Sequence, residues 1–168
     1  MIRPISVTAY GQAERFIGQR EIVGKVSNPQ ILAMLTLDLS WPEDDKVPWC
    51  SAFINYICWW LRLPRSKSLR ARSWLEVGYS IPYRDAEVGF DVVVLKRGGA
   101  GQPGPEVIKA PGHVGFFGGW DADLTADLDQ YGETIPTHVK ILGGNQSDSV
   151  CVASYDAKRI LGVHRIRN

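Results

Sequence analysis

Cys50, His113 and Asn145 are the residues of this chain that could together carry out nucleophilic chemistry. Cys50 heads a segment in which Phe53, Ile54, Ile57, Cys58 and Leu61 recur at i+3, i+4, i+7, i+8 and i+11, so all six share one face of a helix. A thiol in the first turn of a helix meets unpaired N–H groups and the positive end of the dipole, and both favour the thiolate. The same N–H groups can stabilise an oxyanion forming on a carbonyl under attack. The competing role for Cys50 is that of a small core hydrophobe, which is the role assigned to Cys58. A base must lie within reach of the thiol, and the candidates are His113, His138 and His164. His113 is preferred because it opens a strand and is followed on the same face by Gly115, which leaves space for a helix end. His138, inside an amphipathic strand, and His164, near the C-terminus, read as surface residues. Asn145 is the candidate to orient the imidazole, at the end of the strand after the one bearing His113. An ordinary turn residue is its alternative, since it follows Gly143-Gly144.

These residues need a scaffold, and the chain reads as one α+β domain over 1–168, with a helical part over about 1–80 and a sheet part over about 88–168. Tyr10, Ala13, Phe16 and Ile17 predict a first helix ending at Gly18. Ser27-Asn28-Pro29 supplies a cap and a first-turn proline for a second helix through Ile31, Leu32 and Leu35. The polar segment 40–47 is a loop leading to the Cys50 helix, and a short helix is expected over Leu69 to Val77, ending at Gly78. Val92 to Leu95 is a β-branched run that reads as a buried strand. Residues 97–112 hold five glycines and three prolines and form a long loop. Strands are expected at His113 to Phe117, closed by Gly118-Gly119, and at His138 to Leu142, Val150 to Ala153 and Ile160 to Arg165. Together they predict an antiparallel meander packed against the helices.

Composition narrows the function. A chain of 168 residues with a formal charge of +1 lacks the one-signed field that nucleic acid or an anionic membrane selects. Three cysteines without a C-x-x-C pair indicate neither a disulfide framework nor a zinc knuckle. No stretch reaches the ~18 apolar residues of a spanning helix, and Met1 to Ser6 lead into no apolar run, so a cytoplasmic origin is expected. Two acidic clusters, Glu43-Asp44-Asp45 and Asp121 to Asp129, invite calcium, but the second lacks the glycine and distal glutamate of an EF-hand loop. Both are read as solvated loops, with no metal and no cofactor. Six tryptophans and the loop from Trp120 to Gly132 offer sugar-stacking surface, with burial as the commoner use of such rings.

Three segments resemble the CHAP and NlpC-type cysteine peptidases, papain-like amidohydrolases that cut peptidoglycan. Pro48-Trp49-Cys50-Ser51-Ala52-Phe53-Ile54-Asn55 resembles their nucleophile helix, Gly112-His113-Val114-Gly115-Phe116-Phe117 the histidine strand, and Ile141-Leu142-Gly143-Gly144-Asn145-Gln146-Ser147 the strand with the third residue. The likeness is greatest to a phage and prophage branch and runs the length of the chain, including Ser73-Trp74 and Ile160-Leu161-Gly162. It implies attack by Cys50 on an amide of the wall stem peptide, with His113 as base and Asn145 as orienter. Relatives with a Glu two positions before the Asn have Gly143 here, which makes Gln146 the nearest substitute. Phe90 stands where a glycine is common before Asp91, and Asp91 reads as a structural residue at a strand start. Trp49, Gln146 and Trp74 are further candidates for substrate binding or oxyanion support, with packing as the alternative for Trp49. The resemblance also implies a monomer that acts on peptidoglycan after release from the cytoplasm where it is made. Its biology would be phage lysis or, alternatively, that of an antibacterial effector of the type VI kind; an inactive wall-binding module is the third reading.

Overall fold

The computed structural model describes residues 6–99, 101–121, 127, 128 and 134–167, with the backbone alone at 127, 128, 134 and 135. Helices occupy the first third. α1 (Ala9–Glu14) starts where the Thr8 hydroxyl accepts the Gly11 N–H at 3.0 Å. α2 (Pro29–Leu35) starts where Asn28 Oδ1 accepts the N–H groups of Gln30 and Ile31, with Pro29 in the first turn. α3 (Cys50–Trp60) buries Phe53, Ile54, Ile57 and Cys58 along the face that the spacing predicts. In place of a further α-helix over 69–77, the chain makes a 3-10 stretch, Ala71–Glu76, that buries Ala71 and Trp74.

The sheet has six strands: β1 (Tyr79–Ile81), β2 (Asp91–Lys96), β3 (Gly112–Asp121), β6 (His138–Gln146), β7 (Ser149–Asp156) and β8 (Ile160–Arg165). A separate short ladder of β4 (Asp127–Leu128) and β5 (Thr134–Ile135) falls between β3 and β6. The order in the large sheet is β1-β8-β2-β3-β6-β7, antiparallel throughout. The expected meander therefore covers only β2-β3-β6-β7, because β8 crosses back to pair with the far side of β2. That return makes β8 an interior strand and buries His164, whose Nδ1–H donates to the Val77 carbonyl at 3.0 Å, so the surface reading of His164 is corrected.

Two of the three bulges in the sheet bear on the candidate site; the third sets Leu161 of β8 as the extra residue opposite Val94-Leu95. Gly118-Gly119 does not end β3. The pair stands opposite the single residue Lys140, between Phe117↔Ile141 and Trp120↔Val139, and Gly119 takes φ +113°. On β6, Gly144-Asn145 stands opposite Val150, between Gly143↔Cys151 and Gln146↔Ser149. The expected Gly-Gly-Asn turn is thus a bulge inside the strand. The reversal lies at Ser147-Asp148, both with positive φ, as a tight two-residue hairpin demands.

Both faces of the sheet are covered. Val92, Val94, Val114, Phe116 and Leu142 pack with the helices, while Val93, Leu95, Phe117, Val139, Ile141 and Val163 form a second cluster on the other side. This alternation is the period of two expected of a strand buried on both faces. The long loop before β3 is tied down by Arg72, whose guanidinium donates to the carbonyls of Pro111, Pro103, Gly104 and Val107. The first acidic cluster is not wholly solvated. Asp45 is buried and accepts the Asn28 N–H at 2.7 Å; burial would raise its carboxyl, but this bond and Lys46 hold it below its ordinary value. Most of the second cluster and of the loop from Trp120 to Gly132 lies outside the described residues.

Candidate active site

α3 begins without a side-chain cap: Trp49, the capping residue, contributes no hydrogen bond of that kind, and no acid stands in the first turn. The first N–H groups of the helix are therefore left for another acceptor. Cys50 opens that turn, and the backbone N–H groups of Val114 and Ser51 act on its thiol in the direction of the thiolate. Because Val114 follows His113, the head of α3 abuts the start of β3. The cysteine is only 2% exposed, and burial outweighs these donors and nearby Arg97, so the thiol titrates above its ordinary value. The expectation of a resting thiolate is reversed. Desolvation of the charged form exceeds what the helix end returns.

His113 is 5% exposed. Its Nε2 lies 3.0 Å from Gln146 Oε1. The orientation of the Gln146 amide follows from its surroundings, since Nε2 of Gln146 donates to the carbonyls of Cys151, Ile141 and Gly143. Oε1 therefore faces the imidazole, and an acceptor there requires the proton on His113 Nε2. Nδ1 is left unprotonated and free to act as a base. Burial, helped by Arg97 and Arg159 and opposed by the Gln146 bond, lowers His113 to about 4, so the ring is neutral near pH 7.

Tyr155 completes the group. Its hydroxyl donates to the same Gln146 Oε1 at 2.8 Å, and its ring centroid lies 5.4 Å from that of His113. Arg159 sits over the Tyr155 ring, 5.5 Å from the centroid, and its guanidinium donates twice to the Lys96 carbonyl. Asn145 stands apart from this chain. Its side-chain amide donates to Glu21 Oε1 at 3.4 Å, and its backbone takes φ +55°. The bulge at Gly144-Asn145 is the cause: the extra residue advances the alternation of side chains by one, which gives Gln146 the side that Asn145 would have held.

The remaining candidates are structural. Trp49 is fully buried, its indole N–H donating to Glu21 Oε1 at 2.9 Å, and Trp74 is fully buried with its N–H on Ser51 Oγ at 2.9 Å. Neither ring is open to a substrate. Ser51 in turn donates to the Ser68 carbonyl at 2.6 Å, while Asn55 donates to the Ser51 and Ser68 carbonyls and accepts the Lys67 N–H. These bonds hold the first turns of α3 to the segment after it. Cys58 is a core residue, as read, with its thiol strongly raised by burial. His138 Nδ1 lies 3.1 Å from the neighbouring Thr137 hydroxyl.

The site thus joins His113, Gln146 and Tyr155 and leaves Asn145 out, while the space at Gly115 expected to admit a helix end is taken by Ile141 and Leu142 of β6. The hydrogen bond that His113 makes goes to Gln146, and among the described residues none joins the ring to the Cys50 sulfur. Tyr155 was missed because the strand expected at Val150 to Ala153 stops two residues short of it, whereas β7 runs to Asp156. Among the described residues no cluster of three or more His, Cys, Asp or Glu could hold a metal ion, and no helix is long and apolar enough to cross a membrane. Compared with models of known protein families and with curated proteins, the chain matches none.

Proposed function

We propose that this protein is a papain-like cysteine peptidase or amidase that hydrolyses an amide of the bacterial cell-wall stem peptide or its crosslink. The observation that carries the chemistry is the His113–Gln146 bond, which holds a neutral imidazole with a free Nδ1 at the start of β3, the strand against which the Cys50-bearing helix packs. The choice of peptidoglycan rests on the resemblance to the CHAP and NlpC group.

Since both thiol and imidazole are neutral at rest, the proton moves during attack. Nδ1 takes it as Sγ adds to the amide carbon, and the carbonyl oxygen becomes an oxyanion within reach of the first N–H groups of α3. Collapse breaks the C–N bond, and the imidazolium gives its proton to the leaving amine. A water, deprotonated by His113, then cleaves the thioester and restores the thiol. Gln146 and Tyr155 are positioning residues, since they act through the ring. Purified sacculi treated with the wild type should release soluble peptide fragments, and the Cys50→Ala variant should release none; equal release by both would sink the proposal.

The burial of Cys50 favours one competing reading, that of a wall-binding module without activity. Alkylation separates the two. An enzyme whose site opens to substrate consumes iodoacetamide at Cys50 at neutral pH, whereas an inert module binds sacculi with that thiol unmodified. Phage lysis and delivery as an antibacterial effector use the same chemistry, and a neighbouring immunity gene would favour the effector.

A further inference from the structure

At the far end of α3 from Cys50, the described residues form a groove of about 820 Å³ lined by Trp59, Trp60, Arg62, Leu63, Pro64, Arg65 and Lys67. The site chemistry uses none of them. Trp59 and Trp60 are 49% and 55% exposed. Both indoles lean on Tyr56, with ring centroids 5.9 and 6.2 Å away, so they are braced from one side and open to solvent on another. Contiguous exposed apolar surface rimmed by polar residues marks interaction sites and ligand grooves. The charge on the lining has one sign: three cations and no carboxylate. Arg65 is engaged by Asp38 at 2.8 Å, which leaves Arg62 and Lys67, both exposed, for a ligand. Their backbones are fixed: Arg62, at φ +55°, is the left-handed residue that ends α3, with the Leu63 N–H on the Cys58 carbonyl, and the Lys67 N–H donates to Asn55 Oδ1.

We propose that this groove is a second binding site, for an acidic glycan whose sugar faces stack on Trp59 and Trp60 while Arg62 and Lys67 receive its carboxylates or phosphates. Rings of amphipathic polymers meet aromatic faces in this way, and sparse cations suit a chain of sparse negative charge. A nucleic acid, with a charge at every residue, would call for a broader basic field than a chain of net charge +1 provides. In taking the occupant from the cell wall, the inference rests on the function proposed above. The ten-residue span from Cys50 to Trp60 places the groove roughly 15 Å along the helix from the thiol, so a bound glycan strand could hold its own stem peptides near the site. It would anchor the protein to the wall.

The test uses the full chain with Cys50→Ala, so that binding is read without cleavage. Co-sedimentation is measured with intact sacculi and with sacculi stripped of phosphate polymers by hydrofluoric acid. Trp59→Ala with Trp60→Ala should weaken binding by about tenfold or more, the loss of one to two stacking contacts. Arg62→Glu with Lys67→Glu should weaken it comparably and abolish its dependence on salt. If the charge effect persists on stripped sacculi, the carboxylates of peptidoglycan are the anions; if it vanishes there, the phosphates are. Unchanged binding in both pairs of variants would overturn the inference. So would tighter retention of a single-stranded oligonucleotide than of sacculi, or loss of a dimer in the tryptophan variant with sacculus binding intact. In a Cys50-bearing background, a soluble stem-peptide fragment should be cut equally by the wild type and the tryptophan variant. Failure of that cleavage with binding intact would remove the hydrolase reading and leave the groove.

Discussion

At the scale of single residues, His113 governs how the protein responds to acid. The folded ring takes a proton only near about 4, against 6.5 for the free side chain. Between those values the unfolded chain binds more protons than the folded one, so stability falls as pH drops. The contribution is complete above about 6.5 and lost progressively toward about 4, amounting to roughly 3 kcal/mol. Urea unfolding at pH 7 and at pH 4.5 should show this loss in the wild type, and His113→Gln should flatten it. The same depression sets the acid limb of kcat/KM well below 6.5. Gln146→Glu would place a carboxylate against Nε2 and favour the imidazolium, so the acid limb should move to higher pH. Tyr155→Phe deletes one of two donors to Gln146 Oε1. A neutral hydrogen bond of about 1 kcal/mol implies a kcat lower by roughly 3- to 10-fold, with KM little changed, in steady-state kinetics on a stem-peptide substrate. A merely structural Tyr155 would lower stability and leave kcat per folded molecule alone.

At the scale of elements, the bulge on β6 decides which amide meets the base, and its glycine is held there by α3. A Cβ on Gly144 would stand 2.5 Å from a ring carbon of Trp49 and 2.8 Å from Phe53 Cβ. Neither neighbour is free to withdraw, since both are fully buried. Gly144→Ala should therefore cost about 1–3 kcal/mol in urea unfolding and lower activity by displacing α3 from β6. The same comparison explains what the sequence made legible. The α3 face was readable because apolar spacing reports burial directly, and β8 was readable from Ile160 to Arg165 for a similar reason. The choice between Asn145 and Gln146 was not, because a bulge is a property of two paired strands, and only the opposing residue Val150 reveals that 144 and 145 share one partner. His164 misled for a like reason: nearness to the chain end says nothing of strand order. Arg72 and Glu21 bond to carbonyls and side chains far along the chain, and no local pattern announces such partners.

At the scale of the whole molecule, the return of β8 ties the last strand to the middle of the chain, and one ion pair stands at that junction. Asp91 opens β2 and is buried; its two carboxylate oxygens accept Arg165 Nε and Nη2 at 2.7 and 2.8 Å, and Oδ2 also accepts the Glu87 N–H. The expected structural role of Asp91 thus includes the backbone contact and adds a forked bond to β8. Next to it Gly78 approaches so closely that a Cβ there would collide with the Arg165 carbonyl, so three strands converge on one residue. Burial of one partner makes its removal and the other's unequal. Arg165→Met strands a buried carboxylate and should cost about 3 kcal/mol or more, whereas Asp91→Asn with Arg165→Met removes both charges and should recover part of that loss. A double-mutant cycle in urea would measure the coupling. Since the pair lies on the β1-β8-β2 side of the sheet and the candidate site on β3-β6-β7, the surviving folded fraction of either variant should keep its kcat. A fall in kcat beyond the loss of folded protein would mean that the two halves of the sheet are coupled through β2.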